Sequence, residues 1–413
     1  HKVPCTIPHG RLLSWPHTQS VPGQKIVVAP DSFKGSLTSA EVADAVERGI
    51  KDVFPQCNVV KAGVADGGEG TVEAIVKAVG GDMYAASVTD PLGRPVKAAY
   101  GIVRSGGVKT AVMEMSAASG LPLLLPDELN PWITSTYGTG EMISDALNRG
   151  CRKFLVGIGG SATNDAGTGM LSALGVRFLD SSGQRLKGCG RDLESIARID
   201  MSSLMPAARE SEFIVACDVN TLFCGPDGAA RVFAPQKGAD PQTAEALDRG
   251  MRSFAQVIAG QFQTDIVPLS GAGAAGGLGG AFKAFLNARL TAGIEMVLDA
   301  IAFDSLLEGA DLVITGEGRI DAQTAAGKTA AGVLRHAARK GIPVIAIGGS
   351  VAMCRELKEM GFIGIYSIIN TPVSLEQAMR QEWATARIRC TVEQILTTMK
   401  HCSGTLLFQK GGD

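Results

Sequence analysis

The sequence predicts an α/β protein in which strand–helix units at both ends of the chain enclose a large inserted region of mixed strands. Three observations carry this. Apolar residues make up 45% of the 413, mean hydropathy is positive, and 52 glycines are dispersed among apolar runs, as in packed domains rich in tight turns. Short β-branched runs alternate with helically spaced runs near both termini. Glycine-containing loops then follow several of those runs, at the carboxyl ends of strands where α/β sheets bind ligands.

Each element has its own signal. KIVVAP (25–30) suits a buried parallel strand, and residues 36–53 follow with Leu37, Val42, Val46, Ile50 and Val53 at helical spacing. Residues 58–64 form a second strand, and 71–79 a helix after the turn Asp66-Gly-Gly-Glu-Gly70. Between 83 and 115 the stretches 97–103 and 109–115 alternate, separated by Pro91-Leu-Gly93 and Gly106-Gly107, and predict antiparallel or mixed strands. Helices are expected at 136–148, 164–174, 241–259, 282–290, 295–307 and 326–340. Strands are expected at 153–158, 212–217, 266–269, 312–315 and 343–347. This ordering places an inserted domain at 64–290 and a second domain at 25–63 plus 291–400, with residues 1–24 as an extension and 401–413 as a tail. The extension is basic, with no acid before Asp31 and no apolar core; it does not fit a secretory signal and reads as a presequence remnant or upstream read-through.

Composition excludes several functions. Thirty-nine Lys and Arg against 41 Asp and Glu leave a net charge of −2, which gives no global field for nucleic acid or an anionic membrane. A membrane-spanning helix needs ~18 or more apolar residues; the nearest stretch, 266–282, holds six glycines and reads as a loop entering a helix. Nine widely spaced cysteines without a CxxC pair predict reduced thiols in a reducing, cytoplasmic compartment, and no zinc site. The five histidines suggest no metal or triad geometry, and His336 is expected on an exposed helix face.

The chemistry is concentrated in loops. Asp31, Ser32 and Lys34 share a strand-to-helix turn, where a carboxylate holds a hydroxyl or metal and a lysine neutralises phosphate; alternatively Asp31 or Ser36 only caps the helix. Asp66 and Glu69 stand among three glycines, as a metal or hydroxyl site or again as a cap. GIGGSATNDAG (157–167) offers successive backbone N–H groups with the Ser161 and Thr163 hydroxyls, an anion cradle, and Asp165 as a carboxylate for Mg²⁺ or a proton. GAGAAGGLGG (271–280) contains a literal GxGxxG but lacks the acid expected ~20 residues later, so it supports nucleotide binding only in general terms. Residues 314–329 miss the P-loop pattern at Ala322, yet gather Glu317, Arg319, Asp321, Lys328 and Thr329, either for phosphoryl transfer or as a surface ion-pair cluster. Asp218 closes a strand in Cys217-Asp-Val-Asn220, and Lys237 lies in Ala234-Pro-Gln-Lys-Gly238.

Taken together, VVAPDSFKGSL (27–37), ADGGEGT (65–71), TDPLGRPV (89–96), TSTYGTGE (134–141), GIGGSATNDAG (157–167), ACDV (216–219), GPDGAA and FAPQKGA (225–239), GAGAAGGLG (271–279) and ITGEGRIDAQT (314–324) resemble the type 1 glycerate kinase family over residues 25–397. The resemblance implies ATP- and Mg²⁺-dependent phosphorylation of D-glycerate, at the 2-hydroxyl or else to 3-phosphoglycerate, by a flavodoxin-like parallel-sheet domain and an inserted α/β domain facing it across an active-site cleft. It implies small-molecule partners and leaves room for a homo-oligomer. Within it, chemistry assigns Gly159, Gly160, Ser161 and Thr163, with Gly273 and Gly276, to ATP. Lys34 and Lys237 would offset phosphoryl charge, and Arg319 would hold the glycerate carboxylate. Asp165 and Asp218 are the expected Mg²⁺ ligands. Asp31, Ser32, Asp66 and Asp321 would meet the substrate, with Asp321 as base. The competing readings are an NAD-dependent hydroxy-acid dehydrogenase, resting on the glycine loop at 271, and a non-catalytic metabolite sensor.

Overall fold

The computed structural model describes residues 24–402; the expected extension before residue 24 and most of the expected tail lie outside them. In chain order the strands begin with β1 (Lys25–Pro30), β2 (Asn58–Lys61), β3 (Gly81–Thr89), β4 (Pro95–Ser105) and β5 (Val108–Glu114). There follow β6 (Lys153–Gly157), β7 (Arg177–Leu179), β8 (Arg198–Asp200), β9 (Glu212–Ala216) and β10 (Arg289–Thr291). The last are β11 (Leu312–Ile320), β12 (Val344–Val351) and β13 (Gly364–Ser367). The chain divides into two compact units.

The first unit takes the residues up to Ala62, Leu306–Ala325 and those from Leu334 onward. Its sheet is wholly parallel, in the order β13-β12-β11-β1-β2. Renumbered within the unit this is 2-1-3-4-5, the doubly wound flavodoxin-like order, whose topological switch point lies between β1 and β11. Parallel strands are buried on both faces, which is why KIVVAP reads as one unbroken apolar run. Ile26, Val28, Leu312, Ile314, Ile345 and Ile347 pack there against Val42, Val46 and Ile50 of the helix Ser39–Val53 and Ile388 and Val392 of the helix Gln381–Cys402. The helix Ser39–Val53 starts three residues later than the spacing predicts. Its cap is Thr38, not Asp31 or Ser36: Glu41 N–H donates to Thr38 Oγ1 at 3.3 Å while Thr38 N–H donates to Glu41 Oε2 at 2.8 Å.

The second unit takes Gly63–Ser305 and Ala326–Val333. Its main sheet runs β10-β9-β6-β5-β4-β3, with β3, β4 and β5 antiparallel and β5, β6, β9 and β10 mutually parallel. A separate ladder pairs β7 with β8. Tyr100, Phe154, Phe178, Phe213, Phe254 and Phe282 are fully buried in its core, with the Phe154 and Phe213 rings stacked 4.7 Å apart. This unit continues past residue 290 for a physical reason. Arg289–Thr291 is an edge strand of its sheet, and Gly293 N–H is tied to Asp218 Oδ1 at 2.9 Å.

Four local expectations are corrected. Residues 266–269 form a turn and coil, not a strand. The helix expected at 164–174 spans Thr168–Ala173, because Ala166 and Gly167 take left-handed φ of 51° and 73°. The helix expected at 295–307 is two pieces, Gly293–Ala300 and Phe303–Leu306, broken where Ala302 has φ 50°. Strand β11 runs on to Ile320, so Glu317 and Arg319 are strand residues and not loop residues. The glycines that suggested a loop serve close pairing: a Cβ on Gly316 would lie 2.6 Å from the Ile347 carbonyl oxygen.

Candidate active site

In the second unit the four parallel strands end together at Glu114, Gly157, Ala216 and Thr291, and the ADGGEGT loop lies over those ends. Gly67, at φ 87°, is wedged so closely that a Cβ would come 2.6 Å from Gly293 Cα and 2.9 Å from Ala216 Cβ. Only glycine fits that conformation and that space. The wedge holds half-buried Asp66 within electrostatic reach of Asp218, the residue that follows Ala216 of β9. Lys328, exposed just before the helix Thr329–Arg339, acts on the same carboxylate. Asp218 keeps much of its surface in solvent. Partial burial of its carboxyl raises its pKa, and Asp66 adds to the rise, while the Gly293 amide and Lys328 oppose it. Three motifs far apart in sequence thus supply two carboxylates and one ammonium to one place.

Beside these ends, Gly159 and Gly160 are exposed, with Gly160 at φ 72° and open space around the Cα of Gly159. The rest of that loop faces inward. Thr163 and Ser161 are buried, their hydroxyls meet at 3.0 Å, and buried Lys237 Nζ donates to the Thr163 carbonyl at 2.6 Å and to Ser161 Oγ at 3.2 Å. Burial pulls the Lys237 ammonium down to about 7 against the pull of Asp165. Lys237, expected to face the phosphoryl group, and the Ser161 and Thr163 hydroxyls, expected on phosphate, here bind one another and brace the loop from within.

Asp165, expected on Mg²⁺, is turned inward in the same way. It is wholly buried. Its Oδ2 accepts Thr136 N–H at 2.7 Å, Thr136 Oγ1 at 2.8 Å and Gly169 N–H at 3.2 Å, and its Oδ1 accepts Gly167 N–H at 3.0 Å. Burial raises its pKa and these donors lower it. Such a carboxylate fastens TSTYGTGE to GGSATNDAG, and its donors stand where a metal ligand would need open space. Gly273 and Gly276 are likewise buried against protein. A Cβ on Gly273 would meet the Leu222 carbonyl and one on Gly276 the Thr163 carbonyl, and Gly276 in turn accepts Ala166 N–H at 2.9 Å. The glycine loop at 271 packs on the loop at 163–166, which removes the footing of a dinucleotide reading.

In the first unit, Asp31 and Ser32 leave β1 at the switch point. Asp31 is buried, its N–H donates to the Gly316 carbonyl of β11 at 2.8 Å, and its Oδ1 accepts Ser32 N–H at 2.6 Å. Lys34 is exposed on the same turn, which packs on Gly318. Buried Glu317 accepts Thr324 Oγ1 at 3.2 Å. Arg319 Nε pairs with Asp321 Oδ2 at 2.8 Å, and Asp321 Oδ1 accepts Gln323 N–H at 2.8 Å. Arg319 and Asp321 thus partner each other, and Asp321 caps the short helix Ala322–Ala325. A base with both oxygens so engaged is a poor fit, and the ion-pair reading of this stretch describes it better. His336 is buried, not exposed, because the inner face of its helix includes it.

Sequence reasoning left Lys328 without a role and passed over Glu114. Lys328 stood among the charged residues of the 314–329 stretch, in a Gly-Lys-Thr at a helix start, but the mismatch in the P-loop pattern gave it no assignment. Glu114 carried no signal, since a single acid at the end of an apolar strand looks like the edge of the sheet.

Carboxylates, an exposed ammonium and exposed glycine amides at the carboxyl ends of parallel strands are what an α/β phosphotransferase presents to a small phosphorylated ligand. The family follows from comparison with known proteins: the chain belongs to the glycerate kinase family, whose model matches residues 26–400. It is 46% identical over 377 residues to the glycerate kinase of Bacillus subtilis (strain 168), covering 91% of this chain and 98% of that one. It is 44% identical over 357 residues to the glycerate 2-kinase of Escherichia coli (strain K12), covering 86% and 93%. A crystal structure from Salmonella typhimurium LT2 assigned as a glycerate kinase 2 superposes with a TM-score of 0.85 at 44% identity, covering 93% of this chain and all of that one. The protein is therefore an enzyme that transfers a phosphoryl group to an alcohol, with ATP implied as co-substrate, and neither the dehydrogenase nor the sensor reading is favoured by these relatives. Among the described residues no helix is long and apolar enough to cross a membrane, and no three metal-ligating side chains converge.

Proposed function

We propose that this enzyme phosphorylates the 2-hydroxyl of D-glycerate with ATP and Mg²⁺, giving 2-phosphoglycerate. The observation that carries the reading is the convergence of Asp66, Asp218 and Lys328 at the strand ends; the name of the E. coli relative supports the 2-position. Two carboxylates that repel each other, compensated by one lysine, suit a hard cation, and Mg²⁺ commonly takes one or two carboxylates with substrate phosphates and water. Asp218 would hold it, and the ion would supply charge neutralisation for the transferred group.

The remaining work belongs to the chain. Lys328 faces the phosphoryl oxygens and offsets their charge, and the amides of Gly159 and Gly160 receive them without a side chain in the way. Asp66 accepts the hydrogen bond of the glycerate 2-hydroxyl and orients it, which matters because phosphoryl transfer depends more on placement than on covalent help from the protein.

The test is ADP release with D-glycerate, ATP and Mg²⁺, with the product identified by phosphorus NMR. A 2-phosphoglycerate resonance is expected. Asp218→Asn and Lys328→Ala should each lower kcat by about a hundredfold or more, while Asp321→Asn stays within about fivefold. A 3-phosphoglycerate resonance would overturn the regiochemistry, and full activity in Asp218→Asn would overturn the site.

A further inference from the structure

Glu114 closes β5 at the same strand ends, and its carboxylate Oε1 accepts the N–H groups of Thr71 at 3.1 Å and Val72 at 3.4 Å. These belong to the first turn of the helix Thr71–Val79. That turn has no side-chain cap of its own, because its N-cap is Gly70 in a left-handed conformation at φ 89°. The helix start thus takes its acceptor from another strand. Gly157 beside it leaves room for the loop backbone: a Cβ there would collide with the Gly67 carbonyl, while Glu114 Cγ would lie in ordinary contact at 3.5 Å.

The placement is costly. Glu114 is half-buried, and the charged groups that act on it are Glu73 and Glu69, both of its own sign; burial above all raises its pKa to about 7. The ADGGEGT loop holds three glycines, so its backbone has wide freedom; the Gly67 wedge holds one end, and at the other the Thr71 amide is shared between the Gly68 carbonyl at 3.1 Å and the Glu114 carboxylate, the contact there that comes from outside the loop.

We propose that Glu114 is a positioning residue for substrate binding: by accepting the Thr71 and Val72 amides it fixes the ADGGEGT loop so that Asp66 meets the glycerate hydroxyl. This rests on the role given to Asp66 above, so the experiment has one arm that needs no substrate. Amide hydrogen exchange over residues 66–72 is measured in the wild type, Glu114→Ala and Glu114→Gln, together with KM for D-glycerate and for ATP.

Glu114→Ala should exchange faster across the loop and raise KM for glycerate about tenfold, the worth of roughly one hydrogen bond, with KM for ATP within about twofold. Glu114→Gln, whose amide oxygen still accepts, should restore both exchange and KM to within about threefold. A loss confined to kcat, with both KM values unchanged, is what a merely structural defect gives, and it would overturn the proposal. So would wild-type exchange in Glu114→Ala, or a Gln variant as impaired as the Ala variant. If the wild type exchanges slowly here but does not turn over glycerate, the functional reading fails while the loop-fixing role stands.

Discussion

Lys237 shows how a single buried group makes stability depend on pH. Its ordinary pKa of 10.5 falls to about 7 because burial outweighs the attraction of Asp165. Between those values the unfolded chain keeps a proton that the folded chain has shed, so folding stability rises with pH across that window. The cost of the buried ammonium is present in full below about pH 7 and is gone above about 10.5. Melting curves of the wild type and Lys237→Met, recorded from pH 7 to 10, should therefore separate, with the wild type gaining on the variant as pH rises. Parallel curves would show that the Thr163 and Ser161 hydrogen bonds hold the lysine charged throughout.

At the scale of elements, glycines decide where loops and strands can touch. Gly276 sits at φ 65° inside a kinked helix start, and a Cβ there would fall against the Thr163 carbonyl. Gly276→Ala should cost on the order of 2–3 kcal/mol through backbone strain and the displaced loop, read by urea unfolding. A change below about 0.5 kcal/mol would mean that the contact is slack. This class of residue also marks what could be read in advance. The helix Thr71–Val79 and strand β6 were legible within a residue, because apolar periodicity is a local property. The charged loops after strands were also locatable, since Asp66 and Asp218 stand directly beside glycine or a strand end. The partners of Lys237 and Asp165 were not legible, because a buried lysine bracing a carbonyl and a catalytic lysine have the same letters around them. Nor was the length of β11, where glycines that signal a loop instead admit a neighbouring strand.

At the scale of the whole molecule, each unit has its own core, one centred on Ile26, Ile314 and Ile388 and the other on Phe154, Phe213 and Phe282. Multidomain chains commonly depart from two-state unfolding. Scanning calorimetry should give a measured enthalpy above the van't Hoff value. Ile388→Ala, at a fully buried position, should lower one component by about 2–4 kcal/mol and leave the other in place. A single two-state peak shifted as a whole would show that the units melt together.

The sheet of the first unit also has a history in the cell. Its central pairing joins Ala29 of β1 to Thr315 of β11, 286 residues later, through the Thr315 hydroxyl and the parallel ladder around it. A ribosome adding roughly 5–20 residues per second leaves β1 without that partner for some tens of seconds. Nearly the whole second unit emerges in the interval and can close its own sheet first. The nascent chain can pair one edge of Ile26 to Ala29 with β2 early, but the other edge stays open until residues 312–320 emerge, which makes chaperone supply, more than final stability, the factor that should set its yield.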